Sequence, residues 1–238
     1  MTLPHSDDRL TGMLSAAAIA ELEAPLGSHA RPTWRGRLHQ FGLLALLPAF
    51  VALVLVSRGT RARTGAVVYA VGFCSMLLVS TIYHRFVHTR RARAWWQRAD
   101  HAMIYAAIAG SFTPVCLLAV PDRWGIPLLA VMWVGSVAGA AMKFTNWRHR
   151  RVAGGVLYGV LSALGIFVVP SLWRLAGPWP VLLLLTGGLF YTVGAVVLNL
   201  RRPRLRPAVF SYHEVWHACT IIAGVAHFAA VWWLTVTV

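Results

Sequence analysis

A chain of 238 residues that is 58% hydrophobic and only 12% charged, with a mean hydropathy of +0.63, is too apolar for a water-soluble globular domain. Its formal charge of +15 does not point to nucleic acid, because the arginines stand in short segments between apolar runs rather than on one folded basic surface. What remains is an integral membrane protein whose surroundings, and first partners, are membrane lipids.

Residues 1–39 form a polar preface. Within it Leu10, Met13, Leu14 and Ala17 recur at helical spacing, a pattern that suits a short amphipathic helix on the membrane surface as well as it suits a disordered tail. The basic start, apolar core and small-residue cleavage site of a secretory signal are not found there, so the first apolar span is expected to serve as its own insertion signal. From residue 40 onward, windows of the roughly 17–25 apolar residues needed to cross a hydrocarbon core recur along the chain. They run approximately over Gln40–Val56, Gly65–Phe86, His101–Val120, Gly125–Met142, Ala153–Val169, Pro180–Leu200 and Tyr212–Thr235. The expected fold class is an all-α membrane protein, a seven-transmembrane-helix bundle. After Arg37 no linker is long enough to divide residues 40–238 into two domains.

Seven spans make the intervening segments alternate between the two sides of the membrane. Lys and Arg then number 17 on the side of the N-terminal segment and 5 on the other. The positive-inside rule places the N-terminus in the cytoplasm and the C-terminus outside, as expected of a plasma-membrane protein. Within the spans, Gly135, Gly139, Gly154-Gly155, Gly187-Gly188 and Gly194 read as points of close helix approach, and Pro114 and Pro170 as kinks or stops. Trp95, Trp96, Trp124, Trp147, Trp173, Trp179, Trp232 and Trp233 fall mostly near span ends, as interfacial anchors do. Cys74, Cys116 and Cys219 have no paired spacing and read as small packing residues.

The chemistry lies in ionisable side chains at membrane depth, where such groups are costly and usually functional. The seventh span opens with His213-Glu214-Val215-Trp216-His217, and positions i and i+4 of a helix share a face, so both imidazoles can reach one metal ion. Further ligands are sought in Ser80-Thr81-Ile82-Tyr83-His84, at the end of the second span, and in Asp100, at the start of the third. The alternation of spans brings Ser80, His84, Asp100, His213 and His217 to one layer near the inner leaflet. Three neutral imidazoles suit zinc and leave a fourth tetrahedral position for water, the arrangement of catalytic sites. Asp100 would balance the ion's charge and take a proton from the water, and Ser80 would orient it. Glu214 fits two roles, the general base of an HExxH metalloprotease or a cap on the N-terminus of the seventh helix. His88 in a basic loop, His101 turned about 100° from Asp100, and His227 two to three turns deeper than His217 are set aside; His227 reads as hydrogen-bonded between helices.

These segments carry a resemblance. Ser80 to His84, Asp100 to Pro114 and Tyr212 to His217, followed by His227-Phe228, resemble the bacterial hemolysin III proteins, which sit with the progestin and adipoQ receptors, including the adiponectin receptors. The resemblance covers about residues 37 to 238. It implies a seven-helix fold with a cytoplasmic N-terminus and a zinc ion held by His84, His213 and His217, with Asp100 holding water and Ser80 in support. Glutamine often stands in place of Glu214 in adiponectin-receptor-like relatives, which argues against an essential base there. The wider superfamily is linked to hydrolysis of lipid amides such as ceramide. A zinc-dependent intramembrane hydrolase of a lipid amide or ester, its substrate entering laterally between helices, is therefore expected. A membrane-perturbing cytolysin and a non-catalytic zinc sensor are the alternatives.

Overall fold

The computed structural model describes residues 32–238, so the pattern at Leu10 to Ala17 lies outside the described residues. It is built of helices α1 (Arg37–Val56), α2 (Gly59–Arg85), α3 (Arg90–Ala119), α4 (Asp122–Phe144), α5 (Arg150–Ala163), α6 (Val169–Ala176), α7 (Pro178–Leu200) and α8 (Tyr212–Thr237), with a 3-10 segment, Leu164–Val168, between α5 and α6. Taking α5 to α6 as one span, seven helices among the described residues are long and apolar enough to cross a membrane.

Helices α2 and α3 begin well before the apolar windows of the sequence, at Gly59 and Arg90 instead of Gly65 and His101. Hydropathy stops at the first arginines, whereas an arginine stem continues a helix readily and carries its charge out to the interface. The fifth span departs from a plain helix: Pro170 sits in the first turn of α6, where a missing N–H costs nothing, and the 3-10 turn precedes it. Pro114, by contrast, lies inside α3 without ending it.

Helix α3 is the centre of the bundle and touches α2, α4, α5, α6 and α8. Its contact with α2 is backbone on backbone. A Cβ at Gly72 would stand 2.6 Å from the Ala106 carbonyl oxygen, so only glycine permits this crossing. Below it Phe50, Tyr69, Phe73 and Phe228 interlock, with ring centroids 4.9 Å apart for Phe50 and Tyr69 and 5.1 Å for Phe50 and Phe228. Gly155 and Gly188 have nothing near a would-be Cβ and are not packing points, unlike Gly135, Gly139, Gly154, Gly187 and Gly194. Buried Lys143 of α4 lies over the rings of Tyr158 (4.6 Å) and Tyr105 (5.6 Å), and the Tyr158 hydroxyl donates to the His101 carbonyl, tying α3, α4 and α5 together. Trp95, Trp124, Trp147, Trp173, Trp179 and Trp233 are exposed near helix ends, and the three cysteines are free.

One end of the bundle gathers the start of α1, the end of α2, the first turns of α3 and the start of α8. The opposite end is marked by the exposed pair Arg61–Asp122, which joins the starts of α2 and α4.

Candidate metal centre

Local structure sets the start of α8 first. Ser211 is its N-cap, and the side chain of Glu214 reaches back to the cap, the Ser211 N–H donating to Oε2 at 2.8 Å in a capping box. The other carboxylate oxygen accepts from Arg35 Nε at 2.6 Å. Glu214 is 1% exposed and both its oxygens are committed, so it is structural. The HExxH reading finds no free carboxylate oxygen here, because Arg35 and the helix cap hold both. Arg35 belongs to a short strap of residues 32–36 laid across the loop before α8, with the N–H groups of Thr33 and Trp34 donating to the carbonyls of Ala208 and Val209 at 3.1 and 3.2 Å. Gly36, at φ 77°, closes the strap against His84; a Cβ there would stand 2.6 Å from the His84 Cβ.

Beneath the strap, three imidazoles from two helices converge. His213 Nε2 lies 3.2 Å from His84 Nε2 and 2.9 Å from His217 Nε2, and the three ligand atoms all fall within 4.8 Å of one another. His84 and His217 are buried and His213 is partly buried, so these nitrogens face each other rather than solvent. Asp100 of α3 stands beside the cluster, its Oδ2 4.0 Å from His84 Nε2 and its side chain 15% exposed. Ser80 is buried one turn before His84, close to the Asp100 carboxyl. All five residues singled out in the sequence therefore meet at one place. Three nitrogen donors in this arrangement can hold a metal ion.

The histidines set aside in the sequence stay outside the cluster. His88 and His101 are exposed. His227 Nε2 lies 3.2 Å from the Leu184 carbonyl oxygen, an interhelical contact between α8 and α7. One residue of the site was missed. His39, in the first turn of α1, stacks on His217 with ring centroids 3.9 Å apart and planes at 24°. The available signal was its type and place, an imidazole at the mouth of an apolar span; without a partner at i+4 it reads as the last polar residue of the preface.

A family model described as Haemolysin-III related matches residues 28–228. Hemolysin-3 of Bacillus cereus is 28% identical over 182 residues, covering 75% of this chain and 80% of that protein. The human protein called Monocyte to macrophage differentiation factor is 26% identical over 200 residues, covering 79% and 78%. The rice protein called Heptahelical transmembrane protein ADIPOR2 is 29% identical over 191 residues, covering 71% and 81%.

Proposed function

The chain belongs to the haemolysin-III-related family, and from that membership and the convergence of its histidines we propose that it is a zinc-dependent membrane hydrolase that cleaves an amide or ester bond of a lipid. The observation that carries the proposal is the meeting of the Nε2 atoms of His84, His213 and His217, with an acid, Asp100, 4.0 Å from His84 Nε2.

The donor set fits zinc. Two ligand atoms of a tetrahedral ion at the usual Zn–N distance of about 2.0–2.1 Å stand about 3.3 Å apart; two of the three separations are 2.9 and 3.2 Å, and the third, between His84 and His217, lies within 4.8 Å, a spread that small rotations of the rings would close around an ion. Neutral imidazoles leave the ion's charge uncompensated in a poorly solvated place, which favours a neighbouring carboxylate. A zinc ion there supplies Lewis acidity, polarising a carbonyl and making water a usable nucleophile near neutral pH. The chain's own residues do the rest. Asp100 accepts the proton that water loses as it attacks the carbonyl carbon, then returns it to the departing amine or alcohol. Ser80 holds that carboxyl in register. The strap over the site and the burial of the imidazoles limit bulk water.

Substrate access from the bilayer is supported by an almost wholly apolar groove of about 420 Å³ between α2, α3 and α4. Its wall includes Val71, Gly72, Ala106 and Trp133, and Met103 places one end a single turn from Asp100. The arginine-rich end of the bundle carries the site, so by the positive-inside rule the chemistry takes place near the cytoplasmic leaflet.

The test uses purified protein in detergent, with metal content measured and hydrolysis followed on a panel of ceramides, phospholipids and acylglycerols. About one zinc per chain and release of fatty acid are expected, with Asp100→Asn folded, zinc-loaded and inactive. Equal hydrolysis by Asp100→Asn and the unaltered protein overturns the mechanism.

A further inference from the structure

We propose that His39 is a working member of this centre, a hydrogen-bonding residue beside the metal ligands that contacts whatever polar group occupies the open position. This rests on the metal-centre reading above. His39 is 3% exposed, and neither of its ring nitrogens has a hydrogen-bond partner among the described residues. A neutral imidazole always carries one N–H donor and one acceptor nitrogen, and burying both unpaired is unfavourable. If the position required only a flat ring against His217, phenylalanine would stack equally well and leave nothing unsatisfied.

The stacking also decides between two ways of using those nitrogens. A ring nitrogen binds a metal along its own ring plane, and an ion bound by His217 lies in the plane of His217. The plane of His39 runs nearly parallel, at 24°, with the ring centres 3.9 Å apart. An ion in the His217 plane therefore lies off the His39 plane, away from the line along which an imidazole lone pair points. His39 is thus placed in the layer beside the ligands. From there an N–H reaches a group that rests on the open side, such as the carbonyl or carboxylate oxygen of a lipid, and the ring face keeps His217 aligned. Such outer partners are general at histidine metal sites, where they orient the ligands and tune what binds opposite them.

Cobalt(II), which takes zinc's place in nitrogen sites and is visible through its d–d absorption, gives a readout independent of turnover, and azide serves as the probe of the open position. The purified protein, His39→Phe, His39→Gln and His39→Ala would each be loaded with cobalt and titrated with azide. In His39→Phe the cobalt content and band shape should match the unaltered protein while azide binds about tenfold more weakly, the scale of one lost hydrogen bond to an anion. His39→Gln, which restores a donor, should recover most of that affinity, and His39→Ala should weaken cobalt binding because His217 loses its support. Azide binding in His39→Phe equal to that of the unaltered protein would make the ring mere packing and overturn the proposal. A changed cobalt band in His39→Phe would also overturn it, by making His39 a ligand. Failure of the unaltered protein to take up cobalt would bring down the metal centre itself, an outcome distinct from both.

Discussion

Glu214 separates two accounts of the same five residues, His213 to His217, and the separation can be measured. As a buried cap it holds two bonds, from Ser211 N–H at 2.8 Å and from Arg35 Nε at 2.6 Å. Glutamine at this position keeps one oxygen acceptor but turns an NH₂ toward the other donor, so Glu214→Gln loses one bond to a charged acceptor, about 1.5–3 kcal/mol. Glu214→Ala loses both and strands the Arg35 guanidinium. Breaking a buried pair costs about 3–5 kcal/mol, and because Arg35 is 23% exposed the lower end applies. Unfolding in detergent with added denaturant, followed by tryptophan fluorescence, should rank unaltered > Glu214→Gln > Glu214→Ala. Folded Glu214→Gln should still bind one metal per chain and retain lipid hydrolysis within about twofold, since no interaction made only in the transition state is lost. A Glu214→Gln protein as stable as the unaltered one yet wholly inactive would refute this reasoning and restore the glutamate as a base.

Alanine at His84, His213 or His217 should each lower bound zinc from about one per chain to near zero after dialysis, measured by elemental analysis, because two remaining imidazoles hold zinc far more weakly than three. Gly72→Val should destabilise the bundle by about 2 kcal/mol or more, seen as a lower midpoint in thermal unfolding, since its Cβ would meet the Ala106 carbonyl. Reporter fusions should place the C-terminal end outside the cell and the loop at Arg148 inside. Leakage of dye from liposomes should be no greater with purified protein than with a control membrane protein, because the interior is filled by Phe50, Tyr69, Phe73 and Leu77; strong leakage that survives loss of all three histidines would favour a cytolysin.

What could be read in the chain follows the range of the forces involved. The spans were legible because a bilayer demands long apolar stretches, and His213 and His217 because one helical turn joins them. The meeting of His84 with that pair needed only the count of crossings. Helix starts at Gly59 and Arg90 were not legible, since hydropathy reports the edge of the hydrocarbon rather than the end of the hydrogen-bonded backbone. The break at Leu164–Val168 carries no stronger mark than Pro170. The role of Glu214 was open because its partner Arg35 lies 179 residues away, and His39 was overlooked for the same reason: a stacking partner on another helix leaves no periodic trace.

The centre draws its imidazoles from α2 and α8, with five α-helices made in the interval between them. During biosynthesis the early hairpin therefore enters the membrane before the other two imidazoles are made, and the cluster is completed only when α8 has left the ribosome and docked beside α1 and α7. A cation that needs all three imidazoles thus arrives as a late clasp on an assembled bundle.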